Sequence, residues 1–149
     1  MKNKLLAVIG GIITINYFNN DQKSRSSVKS QYNNLIKNAS EDNKKYIFIY
    51  FSGSDWCGWC KQYHSNILED KKFQEYLNKH FYFYNADFPQ RKTLSQETKN
   101  FNRYLAKNFG IKGYPTIKIC DSEGELIGES RFSKTPKDVI KHLNSIINN

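Results

Sequence analysis

Two cysteines three residues apart, Cys57 and Cys60, lie in the run Trp56-Cys57-Gly58-Trp59-Cys60. On the first turn of a helix that spacing puts both sulfurs within reach of a single disulfide. A thiolate at a helix N-terminus faces unpaired backbone N–H groups and the positive end of the dipole, and both lower its pKa. Cys57 is on the open side of such a turn and is the candidate nucleophile. Cys60, one turn in, is the natural resolving thiol. The chemistry would be thiolate attack on a disulfide sulfur, a mixed disulfide, and its release by the second thiol. Other uses of the pair stay open at this stage. Cys57, Cys60 and His64 could form a three-ligand metal cluster, although structural zinc sites usually have four ligands. A purely structural disulfide is another option. Haem attachment requires His directly after the second Cys, where this chain has Lys61.

The pair needs a strand to hold it and a helix to polarise it, and the pattern supplies both. Tyr46 to Phe51 is an unbroken aromatic and β-branched run, as expected of a buried central strand. Ser52-Gly53-Ser54-Asp55 reads as a loop, and a helical stretch begins near Cys57 and carries an apolar face through Tyr63, Ile67, Leu68, Phe73, Tyr76 and Leu77 to His80. Phe81 to Ala86 is a second strand. Ser95 can cap a helix with apolar positions Phe101, Tyr104, Leu105 and Phe109, ended by Gly110. Thr116 to Cys120 is a third strand, preceded by Pro115. Asp121 to Gly124 is a hairpin turn and Glu125 to Ser130 its partner strand. Thr135-Pro136 opens the last helix, whose buried face is Val139, Leu143, Ile146 and Ile147. Ahead of all this, Val28, Tyr32, Leu35, Ile36 and Ala39 mark one face of a helix beginning at Ser27. The predicted order is α-β-α-β-α-β-β-α. The third cysteine, Cys120, falls in an apolar strand and is read as structural. His64 and His80 are read as surface or packing residues.

The chain's 149 residues make one ordinary domain. A mean hydropathy of −0.73 excludes a multi-pass membrane protein, and 15% aromatic content excludes a disordered chain. Three cysteines are too few for a disulfide scaffold. The formal charge of +9 invites a nucleic-acid reading. However, the basic residues are spread along the chain, and no basic stripe with interleaved aromatics forms on one helix face. A solvated surface accounts for the charge, and no nucleic-acid partner is expected.

Lys2 and Lys4 precede the apolar run Leu5 to Ile15, and a polar stretch follows from Asn19. This is signal-peptide anatomy, short for a relaxed membrane span and without an Ala-x-Ala cleavage pattern. The expected division is a signal peptide or membrane anchor over 1–20, a linker over 21–26 and a folded domain over 27–149. Residues 5–18 would form any tether. The charge asymmetry places the domain outside the cytoplasm, periplasmic or extracytoplasmic.

From Phe51 through Gln62, together with Tyr114-Pro115-Thr116 and the order of elements, the chain resembles the thioredoxin superfamily. It is similar to the bacterial exported thioredoxin-like proteins with a Ser-Asp-Trp-Cys-x-Trp-Cys active site, which also carry an Asp-Phe-Pro after the second strand, here Asp87-Phe88-Pro89. The resemblance covers roughly residues 27 to 148. It implies a thioredoxin fold, with a central mixed four-stranded sheet flanked by helices and a helical insertion before the cis-proline. Cys57 and Cys60 match the redox pair. Pro115 matches the cis-proline, which would leave the backbone of Tyr114 open to an extended substrate strand. Trp56, Gly58, Trp59, Tyr114 and Pro115 are then the substrate-facing positions. The implied activity is thiol–disulfide exchange, reducing or isomerising disulfides in exported proteins. It needs no cofactor and relies on a separate redox partner protein, and the chain is expected to be a monomer. The alternative is a non-catalytic metal- or partner-binding domain using Cys57, Cys60 and His64. One departure stands out: the acid this superfamily often buries in the strand before the motif is missing, because Tyr50-Phe51 occupies the matching region. Asp55 is the nearest carboxylate and lies in the loop. Lys61 could stabilise thiolate charge.

Overall fold

A computed structural model describes residues 20–130 and 132–149 in full and traces the backbone of 2–19 as helix. The sheet has the order β2-β1-β3-β4, from β1 (Tyr46–Ser52), β2 (Phe81–Asp87), β3 (Thr116–Asp121) and β4 (Leu126–Ser130). β1 runs parallel to β2 and antiparallel to β3, and β3 and β4 form the hairpin. The sheet is therefore mixed, with the aromatic run of β1 at its centre.

Because side chains alternate along a strand, β1 feeds two cores. Phe48 and Tyr50 point to one face, packed with Ile117 and Ile119 of β3 against Tyr63, Phe73 and Leu77 and against Val139 and Leu143. Ile47, Ile49 and Phe51 point to the other, packed with Cys120 against Leu35, Ala39, Phe101 and Leu105. The first face is covered by α2 (Gly58–Tyr63), α3 (Lys71–His80) and α5 (Pro136–Ile147), and the second by α1 (Lys2–Glu41) and α4 (Gln96–Asn108). Oxygen-bearing side chains cap α3, α4 and α5: Asp70 accepts from Phe73 N–H, Ser95 from Thr98 N–H and Thr135 from Asp138 N–H.

Two features differ from the sequence reading. The helix expected from Ser27 runs unbroken from Lys2 to Glu41, so residues 21–26, expected as a linker, are helical. That stretch contains no Gly or Pro, and Asp21 and Arg25 pair at 3.0 Å one turn apart. The helix expected from Cys57 to His80 is instead divided. After α2 the chain makes a wider π turn over His64–Leu68, closed by the Glu69 N–H donating to the His64 carbonyl at 3.0 Å, before Asp70 starts α3. The segment expected as signal peptide or anchor, 1–20, falls almost wholly outside the residues whose side chains are described. Among the described residues, no helix is long and apolar enough to cross a membrane.

The C-terminal part of α1 belongs to the domain. Val28, Leu35 and Ala39 are buried, and the Tyr32 hydroxyl donates to the carbonyl of Gly124 in the β3–β4 turn. Gly124 has φ +85°, and a Cβ there would run into Tyr32 and Ile36, so the turn is shaped both by its backbone and by the helix above it. If α1 is part of the core, Leu35→Ala should cost about 2–5 kcal/mol in urea unfolding. A helix that merely tethered the domain would lose less than about 0.5 kcal/mol on the same change.

Candidate active site

The site is built where the parallel strands β1 and β2 end. Their register sets Ser52 beside Asp87, and the two chains leaving the sheet there are tied to each other by carboxylates. Asp87, buried at the end of β2, accepts from the backbone N–H of Ser54 (2.9 Å) and from its hydroxyl (2.6 Å). The Ser52 hydroxyl lies 3.3 Å from the same carboxylate and 2.9 Å from Asn85 Oδ1, and Lys92 Nζ is 3.7 Å from Asp87 on the solvent side. In the opposite direction, Asp55 accepts from the backbone N–H groups of Gln90 (2.9 Å), Arg91 (2.7 Å) and Lys92 (2.9 Å). Each loop thus carries the carboxylate that satisfies the other. The Trp56 indole N–H donates to the Phe88 carbonyl at 2.7 Å and adds a third tie. Gly53 makes room here, because a Cβ at that position would come within 2.3 Å of the Trp56 ring.

This clasp delivers the chain into α2. Cys57 is the N-cap residue, and its sulfur accepts from the Cys60 backbone N–H at 3.2 Å. Cys57 and Cys60 are joined as a disulfide, with Cα atoms 5.2 Å apart. Cys57 is the outer of the two, at 6% exposure against 2% for Cys60. A thiolate on Cys57 would keep the Cys60 N–H donor, which favours the charged form.

Aromatic rings flank the disulfide. Trp56, 40% exposed, meets the Tyr114 ring edge-on at 5.7 Å, and Phe88 lies 5.4 Å from Tyr114. The Tyr114–Pro115 peptide is cis. Trp59, 57% exposed, meets Phe132 edge-on at 5.6 Å, and Phe132 in turn lies 6.0 Å from Tyr63. Gly58, between the two cysteines in the chain, has open space where a side chain would be.

Below Cys60 is a recess of about 240 Å³ lined by Tyr50, Ser52, Ser54, Lys61, His64 and Asn85. Tyr50 donates its hydroxyl to the Cys60 carbonyl at 3.2 Å. Burial, reinforced by the charge of Asp87, pushes its phenol up to about 12. His64 Nδ1 lies 3.3 Å from Glu69 Oε1. The third cysteine is remote from this chemistry. Cys120 is free and fully buried, and burial pushes its thiol up to about 12.

The cluster considered for a metal is not assembled. Cys57 and Cys60 are bonded to each other and His64 is turned to Glu69. Among the described residues, no group of three or more His, Cys, Asp or Glu is placed to hold an ion. The structure also brings in groups that the sequence reading passed over. Asp87 was noted only within Asp-Phe-Pro, and Ser54 and Asn102 were not singled out. Asn102 is buried, donates to the Asp87 carbonyl (2.9 Å) and accepts from the Tyr84 hydroxyl (2.7 Å). Pairing the last residues of the two strands, Ser52 with Asp87, would have pointed to the first of these contacts. Phe132 had only one signal, a lone aromatic in an otherwise polar segment.

A four-stranded mixed sheet with this helix arrangement and a cysteine pair capping the helix after its central strand defines a thioredoxin fold with a dithiol site. The chain belongs to the family of thioredoxin-like domains, whose pattern matches residues 32–146. It is 29% identical over 101 residues to the disulfide bond reductase DsbH of Chlamydia pneumoniae, a match covering 68% of this chain and 60% of that protein. This chain therefore spans under two thirds of that relative's length. Among solved structures, it superposes on a DsbH oxidoreductase with a TM-score of 0.71 at 24% identity, covering 76% of this chain and 79% of that one. The C-terminal domain of DsbD from Neisseria meningitidis, in its oxidised form, superposes with a TM-score of 0.57 at 16% identity, over 79% of this chain and 94% of that one.

Removing the buried half of the clasp with Asp87→Ala leaves the Ser54 N–H without its acceptor. It should lower the unfolding free energy by about 1–3 kcal/mol. For Asp55, the N–H donors of Gln90 and Lys92, with that of Arg91, hold the carboxyl at about 2 rather than 3.8. Its contribution is fully present above the higher value and is lost as pH falls through the lower. Acid titration of stability should therefore show a fall between about pH 4 and pH 2 that Asp55→Asn lacks, with the two curves parallel above that window.

Proposed function

We propose that this chain is an extracytoplasmic thiol–disulfide oxidoreductase that reduces or isomerises disulfides in exported proteins through the Cys57–Cys60 couple. The observation that carries the reading is the position of the pair: Cys57 at the outer end of α2 accepting the Cys60 N–H, and Cys60 bonded to it from one turn inside. In the reducing direction, the Cys57 thiolate attacks one sulfur of a substrate disulfide. The first substrate thiolate leaves and a mixed disulfide forms on Cys57. Cys60 then attacks the Cys57 sulfur, the second substrate thiolate leaves, and the Cys57–Cys60 bond closes. The substrate gains two electrons and the protein loses them, so a separate dithiol protein must restore the reduced pair. DsbH is named a disulfide bond reductase, and that relative supports the reducing direction.

Trp56, Gly58, Trp59, Tyr114 and Pro115 are the proposed substrate-facing residues. The rings of Trp56 and Tyr114 on one side and Trp59 on the other offer apolar surface to the chain flanking a substrate disulfide. Gly58, next to Cys57 in the chain, adds no side-chain bulk and has open space around it. The positively charged start and apolar run of residues 1–20 support export or a membrane tether.

The test is turnover of insulin disulfides with a dithiol reductant. Cys57→Ser should abolish it, and Cys60→Ser should accumulate mixed disulfides with substrate, visible as reductant-sensitive adducts on non-reducing gels. Full insulin reduction by the Cys57→Ser variant would refute the reading.

A further inference from the structure

Resolution of the mixed disulfide requires Cys60 to lose its proton, because the thiolate is the attacking species. Cys60 is buried, which disfavours that ionisation unless a base is at hand. Cys60 lines the recess beneath it, and three further titratable side chains share that lining: Tyr50, Lys61 and His64. Tyr50 is held as a phenol, its proton donated to the Cys60 carbonyl and its pKa raised by burial. Lys61 ends in an ammonium, a hydrogen-bond donor with no lone pair to offer. An imidazole, with one donor and one acceptor nitrogen, is the side chain of the three built to take and return a proton.

We infer that His64 is the proton acceptor for Cys60 in the resolving step, which assumes the oxidoreductase reading above. The π turn over His64–Leu68 brings Glu69 back onto the ring, with Oε1 3.3 Å from Nδ1. A proton on Nδ1 held by that carboxylate leaves the lone pair on Nε2. The other polar side chains around the ring are Tyr50 on β1, Asn85 on β2, and Gln74 and Asn78 on α3. Behind the recess wall lies Asp87, whose carboxylate is turned into the hydroxyls of Ser52 and Ser54, two of the lining residues. In the step itself, His64 takes the Cys60 proton, directly or through one water. The resulting thiolate forms the Cys57–Cys60 bond, the bond from Cys57 to the substrate sulfur breaks with its electron pair going to that sulfur, and the imidazolium proton passes to the departing thiolate or to solvent. The acceptor thus reaches Cys60 from the helix side, one turn further along, and not from the strand.

The step can be isolated by mixing fully reduced, full-length protein with an aryl disulfide whose leaving thiolate is coloured, a dithiobis-nitrobenzoate, in a stopped-flow instrument. Attack by Cys57 releases the first coloured thiolate and resolution by Cys60 releases the second. In His64→Gln the first phase should keep its rate, which also shows that the variant is folded. The second should slow by about 10²-fold at neutral pH, within the range of general-base contributions, and added imidazole should restore part of it. A second phase within twofold of wild type overturns the inference, as does a slowed second phase that imidazole leaves unchanged. Absence of the first phase in the wild-type protein overturns the oxidoreductase reading itself, and this inference with it.

Discussion

The exchange of carboxylates between the two loops leaving β1 and β2 is the constraint on which the site depends. A parallel pair of strands ends with two chains side by side, each with backbone N–H groups that the sheet no longer satisfies. Asp87 serves the loop after β1 and Asp55 serves the loop after β2. The ties are reciprocal, so neither loop can shift without uncovering donors on the other. The cysteine pair follows directly from one of these loops, and Phe88, which stands against Tyr114, follows from the other. The clasp therefore fixes the first cysteine and one aromatic wall as a single unit, and it does so beside the surface without needing a deep core.

The two sulfurs inhabit different surroundings as a result. The outer one is met by a backbone N–H and framed by exposed rings, and the inner one looks into a polar recess. A disulfide with chemically equivalent ends would offer a partner two places to attack. On the proposed reading, this difference in access makes Cys57 the sulfur that meets another protein first.

Much of this was legible in the sequence wherever one residue type in one place has one physical use. The continuous run from Tyr46 to Phe51 could only be a strand buried on both faces. Pro136 after Thr135 marked a helix start, and Asp121 to Gly124 marked the hairpin. The unread parts depend on partners far along the chain. Asp87 and Asn102 are polar residues whose burial makes sense only once Ser54 and Tyr84 are known to face them. The π turn left no trace, because Tyr63, Ile67 and Leu77 keep a helical apolar pattern through a turn that is one residue wider. Residues 21–26 read as a linker because they lack apolar periodicity, yet nothing in them breaks a helix. His64, read as a surface or packing residue, is largely exposed and pairs with the carboxylate of Glu69. Only its second neighbour, the recess under Cys60, was invisible.

Cys120 gives the chain a built-in gauge. It is sealed beneath α1 beside Tyr32, with its thiol held in the neutral form, while the other two cysteines are joined as a disulfide at the outer end of α2. A thiol-labelling reagent applied to the folded protein therefore counts electrons in the redox pair without interference from the third sulfur. Once the chain opens, the same reagent finds one more thiol than the redox state allows. Redox poise and global unfolding, which usually need separate spectroscopic probes, are recorded here on one stoichiometric scale.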